Sequence, residues 1–178
     1  IYHLAGLFGG EIPDSLVLPL SKRGKVALDA QGVLRCLDEQ KNLVFKDWRR
    51  KQELLPYITY FKTDAAEAKI LTGLDDRQEA ARLLYSWGAQ EVMLTHNTEV
   101  MVCHQGNIHT APFTNVNNSG RTGRGDTTFA AYLAWRQDHD AAESTRFAAA
   151  LCSLKMEKPG VFRGTLEEVL KRMEQDRM

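Results

Sequence analysis

Strand-like and helix-like segments alternate along the first half of the chain. Residues 25–29 and 54–62 are short apolar runs of the kind that forms buried strands. Residues 76–87 carry apolar side chains at helical spacing, and residues 91–95 form the next strand-like run. Because strands that alternate with helices usually pair in parallel, this order predicts an α/β fold with a mostly parallel sheet.

In the second half, a hairpin is predicted from a strand at residues 100–104 and a strand around Ile108. Three helices are predicted to follow, at residues 126–136, 141–156 and 165–173. We expect residues 1–178 to form a single domain, because this length suits one core and is short for two. The chain opens without a Met inside an apolar, strand-like run. We therefore expect it to be the C-terminal part of a longer protein and the domain to be incomplete.

Two carboxylates mark the start of the helix that follows the second strand. Asp64 and Glu67 stand three residues apart, before an apolar pair, and the helix is expected to end at Gly73. This is the spacing of a capping box, in which each side chain accepts a hydrogen bond from the main chain of the other residue.

A glycine-rich turn, Gly123-Arg124-Gly125, comes directly before Asp126 and an apolar helix. Glycine permits positive φ and a close approach to the backbone, and the N–H groups at a helix start attract anions. A carboxylate in an anion site needs a role there. The obvious role is to take a proton from a hydroxyl that attacks a phosphate. The alternative is that Asp126 is only a helix N-cap.

Composition argues against several classes of protein. Lys plus Arg and Asp plus Glu number 23 each. The chain therefore lacks the net positive charge that would favour binding to nucleic acid or to an anionic membrane. Three cysteines without a C-x-x-C spacing predict reduced thiols in a cytoplasmic protein. No apolar run approaches the ~20 residues needed to span a membrane. The G-x-x-x-x-G-K-[ST] motif of P-loop proteins is absent.

Taken together, these segments resemble the ribokinase-like (pfkB) carbohydrate kinase family. Residues 120–129 align without a gap to the family's C-terminal signature, approximately D-T-x-G-A-G-D-x-F. Residues 61–73 are similar to its K-x-N-x-x-E-x-x-x-L-T-G segment, apart from Asp64. Residues 147–160 resemble the helix and turn that close the adenine pocket. The resemblance implies a three-layer α/β/α sandwich, with the N-terminal strands and the lid absent from this chain.

The activity that the resemblance implies is ATP-dependent phosphorylation of a hydroxyl of a sugar, nucleoside or polyol. Asp126 is then the general base, and the turn Gly123, Arg124 and Gly125 forms an anion hole through its N–H groups. The resemblance puts Asp64 and Glu67 beside the phosphates as ligands of Mg²⁺, which prefers hard oxygen ligands and usually keeps several waters.

The nucleotide-binding residues that the resemblance implies are spread along the second half of the chain: Thr95, Asn97, Ala149 and Gly160. The family's T-x-G-x-x-G nucleotide loop here has neither glycine, and we expect Asn97, which tolerates positive φ, to keep the turn. Gly120 and Arg121 replace an Asp and a Thr that bind a monovalent cation in potassium-dependent members, which argues against such a site.

These departures leave an alternative open. A truncated or degenerate kinase-like domain would lack catalysis and act as a weak nucleotide-binding or interaction module. A homodimer is also left open, because family dimers often use the lid. No nucleic-acid or membrane partner is expected.

Overall fold

The computed structural model describes residues 1–176. In chain order, its strands are β1 (Tyr2–Leu4), β2 (Val26–Asp29), β3 (Arg35–Leu37), β4 (Leu43–Phe45), β5 (Tyr60–Asp64), β6 (Glu91–Thr95), β7 (Glu99–His104) and β8 (Asn107–Pro112). Its α-helices are α1 (Val17–Ser21), α2 (Gln31–Leu34), α3 (Lys51–Leu54), α4 (Ala65–Thr72), α5 (Arg77–Ser86), α6 (Arg124–Trp135), α7 (Ala141–Met156) and α8 (Leu166–Gln175). Short 3₁₀ helices cover Asp14–Leu16 and Leu55–Tyr57.

The described chain divides into two compact units. The first comprises residues 1–94 and 103–107, and the second comprises residues 95–102 together with the chain from residue 108 onward. Helices and a mixed, mostly parallel sheet confirm the predicted α/β class. The expectation that residues 1–178 form one domain stays a prediction, and residues 177 and 178 lie outside the described chain.

The first unit is built on strands in the order β1-β2-β5-β6. β2 pairs in parallel with both neighbours, with Val26 opposite Tyr2 and Leu28 opposite Phe61. All four residues of β2 are buried, as expected for an interior parallel strand that is covered on both faces. Strands β3 and β4 form a separate antiparallel pair.

The predicted strand at residues 54–62 is wrong in its first half. Leu54 ends α3, a 3₁₀ turn follows, and β5 begins only at Tyr60. Pro56 explains the difference, because its fixed φ and missing N–H suit the first turn of a helix better than a strand ladder. The apolar side chains of Leu55 and Ile58 are fully buried all the same.

The second unit contains residues 99–102 of β7, residues 108–112 of β8, and helices α6, α7 and α8. Phe129 and Tyr132 of α6 are buried, and Trp135 stacks on Phe147 of α7 with ring centroids 4.1 Å apart. The structure confirms the predicted bounds of α7, while α6 begins two residues before its predicted start, at Arg124.

None of the helices within residues 1–176 combines the length and apolar character that crossing a membrane requires.

Candidate active site

A buried ion pair joins two neighbouring parallel strands in the first unit. Lys62 of β5 and Asp29 of β2 are register partners, and Lys62 Nζ lies 2.9 Å from Asp29 Oδ2. Both side chains are less than a tenth exposed, so removing Lys62 would leave the buried carboxylate of Asp29 without its partner. Sequence reasoning placed Asp29 and Lys62 only as the last residues of two predicted strands and missed the pair. The signal was present, since each is a charge within a buried apolar run.

Asp64 and Glu67 form the capping box predicted from their spacing. Asp64 Oδ1 accepts a hydrogen bond from the Glu67 N–H at 2.8 Å, and Glu67 Oε2 accepts one from the Asp64 N–H at 2.8 Å. The helix ends at Gly73, which has a φ of 77°. The cap is therefore confirmed, and a metal role would be an additional function of the same side chains.

Burial controls the ionisation of this cluster. Desolvation raises the pKa of Glu67 to about 7, although the neighbouring ammonium of Lys62 acts in the opposite direction. Burial lowers the pKa of Lys62, but the carboxylates of Asp29, Glu67 and Asp64 outweigh it and raise that pKa overall. The cluster therefore holds a charged lysine beside a carboxyl group that can change its protonation state near neutral pH.

The two capping carboxylates fit Mg²⁺ only as a partly hydrated ion. Each commits one oxygen to the capping box, which leaves Asp64 Oδ2 and Glu67 Oε1 for a ligand. Within residues 1–176, no group of three or more His, Cys, Asp or Glu side chains is arranged to hold a metal. Two carboxylates suit an ion that keeps its waters or takes phosphate oxygens, and do not form a closed cage.

In the second unit, the glycine-rich turn opens α6, and Asp126 lies exposed on the first turn of that helix. Gly123 is the N-cap, with a φ of 77°, and α6 has no side-chain cap hydrogen bond. The alternative that Asp126 is a helix N-cap is therefore wrong. The Arg124 N–H donates to the Arg121 carbonyl oxygen at 3.1 Å, so one of the three predicted anion-hole N–H groups is engaged within the turn.

Two arginines converge on Asn97. Asn97 Oδ1 accepts hydrogen bonds from Arg121 Nη2 at 2.7 Å and from Arg124 Nη1 at 3.1 Å. The loop of Asn97 is closed by a hydrogen bond from the His96 N–H to the Glu99 carbonyl oxygen at 2.9 Å.

The expectation that Asn97 keeps its turn through positive φ is wrong. Among the non-glycine residues in the described part of the chain, positive φ occurs only at Lys41 and Gln105. The loop is instead closed by the main-chain hydrogen bond from His96 to Glu99.

The other predicted nucleotide residues lie apart from this loop position. Thr95 is buried at the end of β6, and Ala149 of α7 lines a cavity of about 160 Å³. Gly160, with a φ of 90°, follows α7 in a turn whose neighbouring residues line a second cavity of about 220 Å³. Neither cavity is lined by Thr95 or Asn97, so neither brings the four residues together.

Sequence reasoning also missed Lys155, on the last turn of α7. Its side chain is buried, and Nζ donates hydrogen bonds to the main-chain carbonyl oxygens of Gly120 and Thr122. The signal that could have found it is a lysine in the buried stripe of α7, three residues after Cys152 and seven after Ala148.

A comparison with family models decides the identity of this fold. The chain matches the model described as pfkB family carbohydrate kinase over residues 2–168. The chain belongs to the pfkB family. The ribokinase-like fold expected for this pfkB protein is thereby confirmed, and a comparison with curated proteins gave no match.

Solved structures agree with the pfkB assignment. A pyrophosphate-dependent kinase of the ribokinase family, in complex with sulfate, is 38% identical with a TM-score of 0.87, and the match covers 96% of this chain and 60% of that one. A pyrophosphate-dependent kinase of the ribokinase family, complexed with a pyrophosphate analog and myo-inositol, is also 38% identical with a TM-score of 0.87. That match covers 95% of this chain and 61% of the other.

A more distant structure supports the fold alone. Arabidopsis thaliana ribokinase, complexed with ribose and ATP, is 24% identical with a TM-score of 0.73, and the match covers 93% of this chain and 54% of that one. This pfkB chain therefore spans about three fifths of the length of its 38%-identical relatives.

Proposed function

We propose that this protein transfers a phosphoryl group from a polyphosphate donor to a hydroxyl of a sugar or polyol. The observation that carries the proposal is the exposed carboxylate of Asp126, which follows a Gly-Arg-Gly turn at the start of α6 and makes no capping hydrogen bond. A carboxylate placed in an anion site without a structural role is available as a base. The pfkB family match and the kinases among the solved relatives support the same reaction.

In the proposed reaction, Asp126 accepts the proton of the acceptor hydroxyl as its oxygen attacks the terminal phosphorus. The new O–P bond forms while the bridging P–O bond of the donor breaks, and the bridging oxygen leaves with the electron pair. The N–H groups of Gly123 and Gly125, with the positive end of α6, stabilise the charge on the transferred group. The Arg124 N–H would join them only after releasing the Arg121 carbonyl oxygen.

Asp64 and Glu67 are the residues we propose to hold Mg²⁺, through the carboxylate oxygens that the capping box leaves over. When bound, Mg²⁺ neutralises charge on donor phosphates. Lys62 holds the neighbouring Asp29 and keeps a positive charge beside these carboxylates, which limits the net negative charge of the cluster.

The phosphoryl donor has two candidates. ATP is the donor implied by the resemblance, and Thr95, Asn97, Ala149 and Gly160 are the residues proposed to contact it. Pyrophosphate is favoured by the convergence of Arg121 and Arg124 on Asn97 Oδ1. Arginine binds phosphate oxygens in a bidentate manner.

The solved relatives also support pyrophosphate. The two 38%-identical relatives described above are pyrophosphate-dependent kinases, and one was solved with myo-inositol, which suggests a polyol acceptor. A nucleoside acceptor finds no support among these relatives.

The test is to incubate the natural gene product that contains this chain with Mg²⁺ and either pyrophosphate or ATP, in the presence of myo-inositol or ribose. Phosphorus NMR then follows the phosphate ester and the leaving group. We expect ester formation with pyrophosphate and a polyol. Ester formation with ATP alone would support the donor implied by the resemblance. Failure with both donors would contradict the kinase proposal and favour the non-catalytic alternative.

The single, incomplete domain over residues 1–178, the cytoplasmic location and the homodimer stay predictions from the sequence. The solved relatives are longer than this chain. A natural product whose measured mass corresponds to a chain of their length would support the prediction that the domain is incomplete.

A further inference from the structure

A buried ammonium group sits under the loop that leads into the phosphate-binding turn. Lys155 is 4% exposed, and the hydrogen bonds of its Nζ go to the main-chain carbonyl oxygens of Gly120 and Thr122. A buried charge is costly unless it is paired or well solvated by dipoles. Here carbonyl oxygens rather than a carboxylate compensate the charge of Lys155.

The surroundings of this ammonium resemble a site for a monovalent cation. Carbonyl oxygens from adjacent turns can replace the hydration shell of a singly charged ion, and an ammonium group is a compact point charge. Lys155 also lies at the C-terminal end of α7, where the helix dipole favours positive charge. The lysine therefore occupies oxygens that a free cation could otherwise bind.

The loop around this ammonium is tightly held. The Gly120 N–H donates to the Met156 carbonyl oxygen at 2.7 Å, and Ser119 Oγ donates to the Glu157 carbonyl oxygen at 2.8 Å. Lys155 Nζ lies 3.9 Å from the position that a Cβ atom would take at Gly123. The ammonium thus connects the end of α7 to the turn whose N–H groups are proposed to bind the transferred phosphoryl group.

We propose that Lys155 is a tethered cation, a positioning residue that takes the place of a dissociable monovalent ion and orients the Gly123–Gly125 turn for phosphoryl transfer. The inference rests on the proposed function for its catalytic consequence. The expected effect on cation binding does not rest on the proposed function. Removing the ammonium should leave a carbonyl-lined site that accepts a small monovalent cation.

The test compares Lys155→Ala with the unchanged protein in choline, potassium and ammonium chloride at about 0.1 M, so that charge screening is matched. We expect the unchanged protein to be indifferent to the salt. Losing hydrogen bonds from a charged donor should lower kcat of Lys155→Ala in choline by roughly 10- to 100-fold. Ammonium or potassium should restore a large part of it.

Two control variants sharpen this comparison. Lys155→Met fills the same space without a charge, so we expect the same loss of kcat with no recovery in any salt. Lys171→Ala removes an exposed lysine of α8 and should behave as the unchanged protein does in all three salts.

A second readout is independent of catalysis. The melting temperature of Lys155→Ala should be higher in ammonium or potassium than in choline, whereas that of Lys155→Met should not depend on the salt. If the unchanged protein transfers no phosphate, the proposed function fails, and this melting experiment still decides the cation site. If Lys155→Ala does not fold in choline, its refolding yield in ammonium replaces the melting temperature.

Two results would overturn the proposal. One is full activity of Lys155→Met, which would mean that the charge is unnecessary. The other is a Lys155→Ala variant whose melting temperature, or refolding yield, is the same in all three salts.

Discussion

The carbonyl oxygen of Gly120 accepts a hydrogen bond from the buried ammonium of Lys155, 35 residues further along the chain. This contact joins the last turn of α7 to the loop that leads into α6. Because Asp126 and the glycine-rich turn follow that loop directly, its geometry determines where the proposed catalytic carboxylate and the N–H groups lie.

Gly120→Ala is expected to destabilise the protein strongly. A Cβ atom at this position would lie 1.9 Å from the Lys158 carbonyl oxygen and 2.6 Å from the Lys155 carbonyl oxygen, both of which are main-chain atoms that cannot move aside alone. We expect a loss of about 1–3 kcal/mol in the free energy of unfolding, measured with urea. Gly24→Ala is the control, because its nearest neighbour is a Tyr2 side-chain carbon at 3.4 Å. Equal stabilities of the two variants would contradict this account of the loop.

Asp64→Ala and Asp76→Ala should lower the free energy of unfolding by similar amounts. They should differ in the Mg²⁺ concentration that activity requires. Each aspartate is the N-cap of a helix and accepts a hydrogen bond at 2.8 Å from the N–H three residues on. Loss of such a cap typically costs ~1 kcal/mol. Only Asp64 is proposed to bind metal, so only Asp64→Ala should need a higher Mg²⁺ concentration for half-maximal activity. The same Mg²⁺ requirement in both variants would remove Asp64 from the proposed metal site.

The stability contributed by Glu67 should fall as pH rises. Burial raises its pKa in the folded protein to about 7 from an ordinary value of 4.5. The folded state therefore binds the proton more tightly, so this stability is fully present below pH 4.5 and is lost as pH rises through about 7. Glu67→Gln keeps a side-chain acceptor for the capping box and cannot ionise.

Urea unfolding in metal-free buffer checks this prediction. Relative to the unchanged protein, Glu67→Gln should become progressively more stable between about pH 5 and about pH 8. Glu79→Gln, at the equivalent exposed position of α5, should show no such trend. A pH-independent difference for Glu67→Gln would mean that Glu67 titrates alike in the folded and unfolded chains.

Local patterns carried most of the sequence predictions that succeeded. The capping box of Asp64 and the bounds of α7 depend on residues within a few positions of each other, and both are confirmed. The first half of the strand prediction at residues 54–62 is wrong because apolar residues are buried in 3₁₀ turns as readily as in strands. The contacts of Lys155 with Gly120 and of Arg121 with Asn97 join distant positions, and no local pattern specifies them.

Arg121→Ala should weaken binding of pyrophosphate. Its guanidinium is exposed, so screening by solvent reduces the effect to about three- to tenfold in Kd. Arg49→Ala removes another exposed arginine and should leave the Kd unchanged. Titration calorimetry with pyrophosphate and Mg²⁺ measures both variants. Equal affinities would exclude the Asn97–Arg121–Arg124 group as part of the donor site.

The most direct test of the central claim is phosphoryl transfer by Asp126→Asn in the natural product that contains this chain, with exposed Asp138→Asn as the control. General bases contribute about 10²–10⁴-fold to such reactions. The account predicts that kcat of Asp126→Asn falls by at least about 100-fold while donor affinity and the activity of Asp138→Asn stay unchanged. A loss of less than about tenfold would contradict the role of Asp126 as the base.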